Sequence, residues 1–331
     1  MRLRAWLLVI VAAALATTAC SGASDKGSVV IYTSVDQPFS EAVLDDFERE
    51  TGIEVLAVYD TEATKTTGLV SRLVAERDRH QADVFWSSEI AQTLWLTDQG
   101  IFAGYASPAA SDIPAEFKDE ESRWTGFGYR ARILLVNTDL VAPGDYPESI
   151  FDLVSGETPG SEMAVANPLF GTTATHIASL YASLGETDAR SYVQALADQK
   201  VRVVDGNSVV RDMVAGGEIR FGMTDTDDAL IAVNAGDPVE ILFPDQANMG
   251  TLLIPNTVGL VAGGPNPDNG KALIDYLVSR ELEDSLIQAG FFYGSLREIG
   301  AETVLAMQVS WPEVARQNDR AKEDVQSILL R

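Results

Sequence analysis

The chain has 331 residues, of which 46% are hydrophobic, and a formal charge of −25 from 24 Lys and Arg against 49 Asp and Glu. This excess of acid argues against a nucleic-acid-binding protein, because neutralising phosphates needs clustered Lys and Arg. Cys20 is the only cysteine, so no disulfide can form within the chain and the fold must depend on its core. The length suffices for two domains of ordinary size.

The N-terminus has the pattern of a secretory leader. Two arginines precede an apolar run over residues 6–15 that is too short to span a bilayer stably. The small residues 17–19 then lead directly into Cys20. This stretch resembles a bacterial lipobox, which implies cleavage before Cys20 and a diacylglycerol on its thiol. A plain secretory signal with an unmodified Cys20 is the alternative.

Both interpretations place the mature protein outside the cytoplasm. We expect a signal peptide over residues 1–19 and a small, polar tether over residues 20–27. After Cys20, no apolar run is long enough to cross a membrane.

From Val29 onward, short β-branched runs alternate with amphipathic segments, which is typical of an α/β protein with mostly parallel sheets. The first predicted helix, over residues 38–50, places Phe39, Val43 and Phe47 on one face and stops at Gly52. Predicted strands cover 29–32, 53–58, 82–86, 133–136, 163–166, 201–204, 221–223 and 258–262. Further predicted helices cover 68–79, 172–184, 269–279 and 281–288, with one more after each of the strands ending at 204 and 223.

Polar residues concentrate just beyond the ends of six of these strands. The six loops cover residues 34–37, 59–61, 87–89, 167–173, 206–208 and 225–228. Ligands of open α/β sheets bind outside the carboxyl ends of the strands, so the loops predict one cleft assembled from both halves of the chain. The alternative is that these Ser, Thr, Asp and Asn residues only cap helices.

Several stretches carry a family resemblance. They are residues 30–34, 47–55, 82–87, 129–132, 214–219 and 258–261. In this order and spacing they resemble the solute-binding proteins of ABC transporters, in particular the ferric-iron-binding group and its phosphonate-binding relatives. The resemblance implies an α/β, two-lobed periplasmic-binding-protein-like (type II) fold with a hinge between the lobes. It also implies a first lobe of residues 28–126 plus 263–331, a second lobe of 127–262, and crossings near 124–128 and 258–264.

The resemblance implies a function as well. A monomeric, lipid-anchored lipoprotein in the periplasm or on the outer face of the membrane would capture its solute and deliver it to an ABC permease and its ATPase. We expect no enzymatic activity and no cofactor, with ferric iron or another hard metal ion as cargo. A phosphonate or another small phosphorylated or zwitterionic solute is the alternative cargo, and a ligand sensor of the same fold is a second alternative.

Site residues follow from the resemblance position by position. The first-loop ligand of the iron binders falls at Asp36 and their anion-binding arginine at Arg130, with Thr172 and Asn207 facing an accompanying carbonate or phosphate. Many ferric binders carry adjacent tyrosines in the loop where this chain has Thr226 and Asp227. The predicted ligand-binding residues are Ser34, Asp36, Tyr59, Ser87, Ser88, Arg130, Thr172, Asn207 and Thr226, and the predicted metal ligands are Asp36, Glu89, Asp225 and Asp227.

The chemistry of the acidic residues leaves two cargo classes open. An all-oxygen set suits hard cations, and with two histidines and one cysteine in the chain a zinc or copper site is not favoured. An amine-bearing acid would instead place its ammonium at Asp225 and Asp227 and its acidic end at Arg130. Capping of the helix that begins near Asp227 is the structural alternative for these acids.

Two features of the sequence resemble parts of enzyme active sites. Asp225-Thr226-Asp227 after an apolar strand resembles the D-x-D of aspartyl phosphatases, but it lies two thirds along the chain instead of at the first strand, and Ala229 stands where that motif has Thr or Val. His176 has no nucleophile motif paired with it. The sequence therefore favours a binding protein.

Overall fold

The computed structural model describes residues 26–60, 67–298 and 304–330. Cys20, the predicted signal peptide and most of the predicted tether lie outside these residues. The strands are β1 (Ser28–Thr33), β2 (Glu54–Tyr59), β3 (Val84–Ser87), β4 (Phe102–Ala103), β5 (Thr125–Asn137), β6 (Met163–Ala166), β7 (Arg202–Val204), β8 (Phe221–Asp225), β9 (Val239–Leu242) and β10 (Leu253–Val261). The helices are α1 (Gln37–Thr51), α2 (Thr67–Ala75), α3 (Ala91–Asp98), α4 (Gly171–Leu184), α5 (Glu186–Gln199), α6 (Asn207–Ala215), α7 (Thr226–Ala235), α8 (Pro267–Leu277), α9 (Arg280–Gln288) and α10 (Trp311–Ile328).

The strands hydrogen-bond in the order β2-β1-β3-β10-β5-β8-β6-β7, with β4 also on β10 and β9 also on β5. The outer strands on each side, β2-β1-β3 and β8-β6-β7, pair in parallel, whereas β10 and β5 run antiparallel to their neighbours. The molecule therefore has two similar halves, and the predicted mostly parallel α/β class is confirmed. Of the described helices, none is long and apolar enough to cross a membrane.

Strand β5 belongs to both halves. Its residues Thr125–Ala131 pair with β10, and Arg132–Val136 pair with β8. The chain returns from the second half to the first between the end of β9 and the start of β10, at residues 243–252. The first crossing thus falls a few residues after the expected 124–128, and the second falls before the expected 258–264.

A bulge in β5 controls the direction of its side chains. Phe127 lies opposite Asn256 and Tyr129 opposite Pro255, so Gly128 is the extra residue. Gly128 has a φ of 54°, and a Cβ there would lie 2.2 Å from the ring of Phe292, so a side chain would be both strained and obstructed. Its N–H donates to Glu283 Oε1 at 2.6 Å.

The first predicted helix is confirmed. In α1, Val43 and Phe47 are buried and Phe39 packs on Phe291, with ring centroids 4.8 Å apart. Gly52 ends the helix in the left-handed conformation that glycine adopts without a side-chain penalty.

Helix α10 was missed by the sequence analysis. Its buried residues Trp311, Val314, Asn318, Ala321 and Val325 recur at helical spacing, so the signal was present in the sequence. The helix packs against α4 and α5 in the second half and also contacts α3. This packing, and the place of β10 beside β3, differ from the predicted lobe ranges.

Candidate functional site

The structure brings the six polar loops together between the two halves. A cavity of about 380 Å³ is lined from the first half by the loops after β1 and β2, and from the second half by the starts of α6 and α7. A smaller cavity of about 30 Å³ is lined by the loops after β3, β6, β7 and β8. We call these the large and the small cavity.

Acidic side chains dominate the large cavity. Among the described residues that line it, four are carboxylates and one is a guanidinium. The five are Asp36, Asp60, Asp227, Asp228 and Arg211. Asp60 also accepts from the backbone N–H of Leu69 at 3.3 Å, and Asp228 Oδ1 accepts from Arg211 at 3.1 Å. The balance of charge favours an occupant that carries positive charge.

Arg130 and Asp227 form a buried ion pair between the two cavities. Arg130 Nη1 donates to Asp227 Oδ2 at 2.7 Å, and its Nη2 donates to the carbonyl oxygen of Ser88 at 2.8 Å. Arg130 lines the small cavity and Asp227 the large one. Asp227 Oδ1 is buried and has no hydrogen-bond partner among the residues that the structure describes. An unpaired buried acceptor is costly, so this oxygen needs a partner that the described residues do not supply.

The environment of these two groups is reflected in their pKa values. Burial alone would lower the pKa of Arg130, but the charges of Asp227 and Asp225 outweigh this effect and raise it. Burial raises the pKa of Asp227; Arg130 lowers it, and Asp225 and Asp36 raise it again, so that the net direction is upward. Burial is thus the largest cause of the upward pKa shift of Asp227, and the neighbouring carboxylates add to it.

Arg132 and Asp225 form a second buried ion pair beside the small cavity. Arg132 Nη1 donates to Asp225 Oδ1 at 2.5 Å, and Asp225 Oδ2 accepts from Thr172 at 2.6 Å and from Asn207 at 2.8 Å. Arg132 also donates to Thr173 Oγ1 at 3.1 Å. Burial alone would raise the pKa of Asp225, but the charges of Arg132 and Arg130 outweigh it and lower the pKa. These contacts fix the first turns of α4 and α6 around the small cavity.

Glu89, a predicted metal ligand, has a different place. Its Oε2 accepts from the backbone N–H of Ala91 at 2.6 Å and from Thr175 Oγ1 at 2.7 Å, and its Oε1 accepts from Gln92 N at 3.1 Å. The carboxylate therefore caps α3, where the helix dipole favours an anion, and joins it to α4. Burial raises the pKa of Glu89 despite these hydrogen bonds. Glu89 lines neither cavity.

The remaining predicted residues fall into three groups. Ser34, Asp36 and Asp227 line the large cavity, while Ser88, Arg130, Thr172, Asn207 and Asp225 line the small one. Tyr59, Ser87 and Thr226 line neither cavity. Ser87 donates to the carbonyl oxygen of Glu89 at 2.7 Å, and Thr226 Oγ1 accepts from the backbone N–H of Ala131 at 3.1 Å.

The sequence analysis missed three contributors. Arg132 follows Arg130 by two residues in one strand and so shares its face, a signal that was available. Asp60 lies in the predicted polar loop 59–61 but was not named as a site residue, and Arg211 enters the large cavity from α6, where only its tertiary placement identifies it. Asp225, Asp227 and Asp228 have carboxylate oxygens within 4.8 Å of one another, close enough to share a cation.

Comparison with known proteins agrees with this architecture. The family model described as bacterial extracellular solute-binding protein matches residues 82–313, well over half of the chain. The chain belongs to this family. Solute-binding proteins of ABC importers work with a permease and an ATPase, so the predicted family and partner class are confirmed.

Relatives divide between two kinds of ligand in their names. "Iron uptake protein A1" of Synechocystis sp. is 22% identical over 279 residues, covering 81% of this chain and 76% of that protein. "Putative 2-aminoethylphosphonate-binding periplasmic protein" of Salmonella typhi is 26% identical over 252 residues, covering 75% of this chain and 71% of that protein.

Solved structures confirm the predicted two-lobed fold. "Ferric binding protein from Campylobacter jejuni" has a TM-score of 0.81 at 20% identity, covering 91% of this chain and 99% of that one. The periplasmic binding protein AfuA from Actinobacillus pleuropneumoniae, with exogenous fructose-6-phosphate bound, has a TM-score of 0.80 at 21% identity, covering 92% and 100%. The same fold thus holds different ligands, and the choice must come from the site.

Proposed function

We propose that this solute-binding protein captures a hard cation, with ferric iron as the first candidate, in its large cavity and delivers it to the permease of an ABC importer. The observation that carries the proposal is the charge of that cavity, where four carboxylates face a single guanidinium among the described lining residues. Carboxylate oxygens are preferred ligands of hard cations. The iron-related names among the relatives support the same cargo.

Asp227 is the central ligand of this proposal. It occupies a position at which many ferric binders, by the family resemblance, carry a tyrosine. Its Oδ1 is a buried carboxylate oxygen without a described hydrogen-bond partner. Asp36 approaches from the loop after β1 and Asp228 from the next position in α7. A cation at this point would contact both halves at once, which is how ligand binding favours closure of a hinged protein.

A zwitterionic phosphonate or a similar acid is the second candidate. The small cavity is lined by Arg130 and by the first residues of α4 and α6, whose N–H groups favour an anion. An amine-bearing acid could place its ammonium in the acidic large cavity and its acidic group beside Arg130. The name of the Salmonella relative agrees with such a ligand.

We also propose that a lipid on Cys20 anchors the protein outside the cytoplasm. The lipobox-like sequence before Cys20 supports a lipid anchor on the outer face of the membrane. Intact-mass analysis of the membrane-extracted protein distinguishes a diacylated Cys20 from an unmodified one.

Substitution of Asp227 tests the cargo. Asp227→Asn removes one charge from the cavity, and we expect it to weaken binding of ferric citrate by roughly 3–5 kcal/mol, since it breaks a buried charge cluster. Isothermal calorimetry with citrate alone as the blank measures the effect. The control is Asp268→Asn, which changes an exposed carboxylate paired with Lys271 and should leave affinity unchanged.

Two outcomes would count against the ferric proposal. Equal ferric affinity in Asp227→Asn and in the wild type would place the cargo elsewhere. Tight binding of 2-aminoethylphosphonate by a wild-type protein that ignores ferric citrate would favour the second candidate.

A further inference from the structure

We propose that Arg130 is a resident counter-ion that occupies the cargo's electrostatic position at Asp227, and that a cationic cargo must displace it. The inference rests on the proposed function and concerns the residue that sets affinity at that site. It assigns to Arg130 a role opposite to that of a ligand-holding arginine, because its loss should tighten the binding of a cation.

The geometry of the guanidinium supports this role. Arg130 Nη1 lies 2.7 Å from Asp227 Oδ2 and 3.7 Å from Asp225 Oδ2, so one cationic group faces two carboxylates. Its Nη2 holds the carbonyl oxygen of Ser88 at 2.8 Å. Two carboxylate oxygens and a carbonyl oxygen around one positive centre are the kind of donors that a hard cation takes.

The two carboxylates differ in their availability. Both oxygens of Asp225 accept hydrogen bonds, from Arg132, Thr172 and Asn207. Asp227 has Arg130 on one oxygen and no described partner on the other. Arg132 therefore keeps Asp225 in place, whereas Arg130 is the cation whose departure would expose a complete carboxylate.

The surroundings offer the displaced guanidinium another position. Arg130 already lines the small cavity with Asn167 and Asp205, and its Nε has no described hydrogen-bond partner. The Phe291 ring lies 5.8 Å from the guanidinium carbon, and such a contact tolerates a shift of the cation across the ring. In this proposal, displacement occurs by rotation of the Arg130 side chain.

The Arg130–Asp227 ion pair also bridges the two halves in the structure. Arg130 belongs to the part of β5 that pairs with β10, and Asp227 lies in the first turn of α7 in the second half. The ion pair therefore performs across the cleft the same bridging that a bound cation would perform. Cargo binding would exchange one bridge for another.

The test compares Arg130→Gln with the wild type by calorimetric titration of the full chain with ferric citrate. We expect the variant to bind ferric iron about 10- to 100-fold more tightly, because a competing charge-assisted hydrogen bond and a positive charge are both removed. Arg123→Gln is the control, since Arg123 forms a partly buried pair with Asp119 and does not line either cavity. Its affinity should equal that of the wild type.

Arg130→Lys guards against a folding defect in the glutamine variant. One ammonium on a flexible stem replaces the planar fork that holds Asp227 and Ser88 together, so we expect a smaller gain of about threefold to tenfold. Circular dichroism at the titration temperature shows whether each variant is folded. If Arg130→Gln is unfolded, the lysine variant decides the matter alone.

The outcomes separate this inference from the proposed function. Ferric binding by the wild type with equal or weaker binding by both variants overturns the inference and leaves the cargo intact. Binding of 2-aminoethylphosphonate by the wild type, lost in Arg130→Gln, shows Arg130 to be a ligand for an anion and overturns it too. Failure of both the wild type and Arg130→Gln to bind ferric iron overturns the proposed function and the inference together.

Discussion

Arg132 organises more of the site than any residue that the family resemblance pointed to. Its side chain is fully buried and connects Asp225 to the first turns of α4 and α6 through Thr172, Thr173 and Asn207. A buried cation is tolerated only with such compensation, and removing one partner costs more than the pair contributes. Its alternation with Arg130 along β5 and the three polar loops that it contacts were visible in the sequence, but their contact with Arg132 was not.

His176 carries the clearest pH dependence in this region. The imidazole is buried in α4, and burial, followed by the charge of Arg132, lowers its pKa from 6.5 to about 3. The unfolded chain therefore binds a proton between pH 6.5 and pH 3 that the folded protein does not. Stability contributed by neutral His176 is present above pH 6.5 and is lost as the pH falls through this range.

The His176→Gln variant should consequently lose less stability on acidification than the wild type. From pH 7 to pH 5, the free energy of unfolding of the wild type should fall by on the order of 2 kcal/mol more than that of His176→Gln. This is the effect of proton uptake by one histidine in the unfolded chain over that interval. Urea unfolding at both pH values measures it. His80→Gln is the comparison, because burial lowers the pKa of His80 as well and its effect should have the same sign. Parallel pH curves for wild type and His176→Gln would rule out a buried neutral imidazole.

At the scale of elements, β5 links the hinge to the site. The bulge at Gly128 shifts the register before the strand reaches Arg130 and Arg132, so both arginines point toward the loops after β6 and β8. No periodicity in the sequence predicts the bulge, because it depends on the partner strand and on the ring of Phe292.

Gly128→Ala should therefore destabilise the protein strongly. The left-handed backbone and the contact with Phe292 together should lower the free energy of unfolding by roughly 2–4 kcal/mol. Chemical denaturation provides the measurement. Gly144→Ala is the matched control, since its φ is ordinary and a Cβ there would meet nothing within 4 Å. A Gly128→Ala protein as stable as the control would mean that β5 is not bulged at this residue.

Helix α10 contacts both halves of the molecule. Its buried Asp324 accepts hydrogen bonds from Tyr181 of α4, at 2.9 Å, and from Arg190 of α5. Burial lowers the pKa of Lys322 in the same helix, and the charge of Glu89, which caps α3, raises it in part. The C-terminal segment thus reaches the second half of the molecule and the start of α3, which sequence order alone does not reveal.

At the scale of the whole molecule, two crossings connect the two halves, and polar side chains add contacts between them. Arg130 with Asp227, and Glu89 with Thr175, bridge them across the cleft. Cargo that contacts both halves shifts an open and closed equilibrium by its differential affinity for the closed form. We therefore expect small-angle X-ray scattering to give a smaller radius of gyration with ferric citrate than with citrate alone.

The same experiment has an internal control in Asp227→Asn, which should keep the open profile in ferric citrate. Superimposable profiles of the wild type with and without saturating ferric citrate would exclude closure on this cargo. A reduced radius in citrate alone would assign the effect to the anion.

The sequence by itself determined the class of the fold, the first helix with its glycine stop and the six polar loops beyond the strands. These features depend on local periodicity and on turn chemistry, which adjacent residues encode. Only the tertiary structure decided that Glu89 caps α3, that Arg132 holds Asp225, and that Arg130 stands between Asp227 and Ser88. The hydrogen-bond partners of each carboxylate decide whether its charge is neutralised or left for a ligand. Most of these partners are more than forty residues away in the chain, and Arg130 and Asp227 are 97 residues apart. Charge pairing of this kind acts through space and leaves no period in the chain, so a cluster of acids in the sequence could not reveal it.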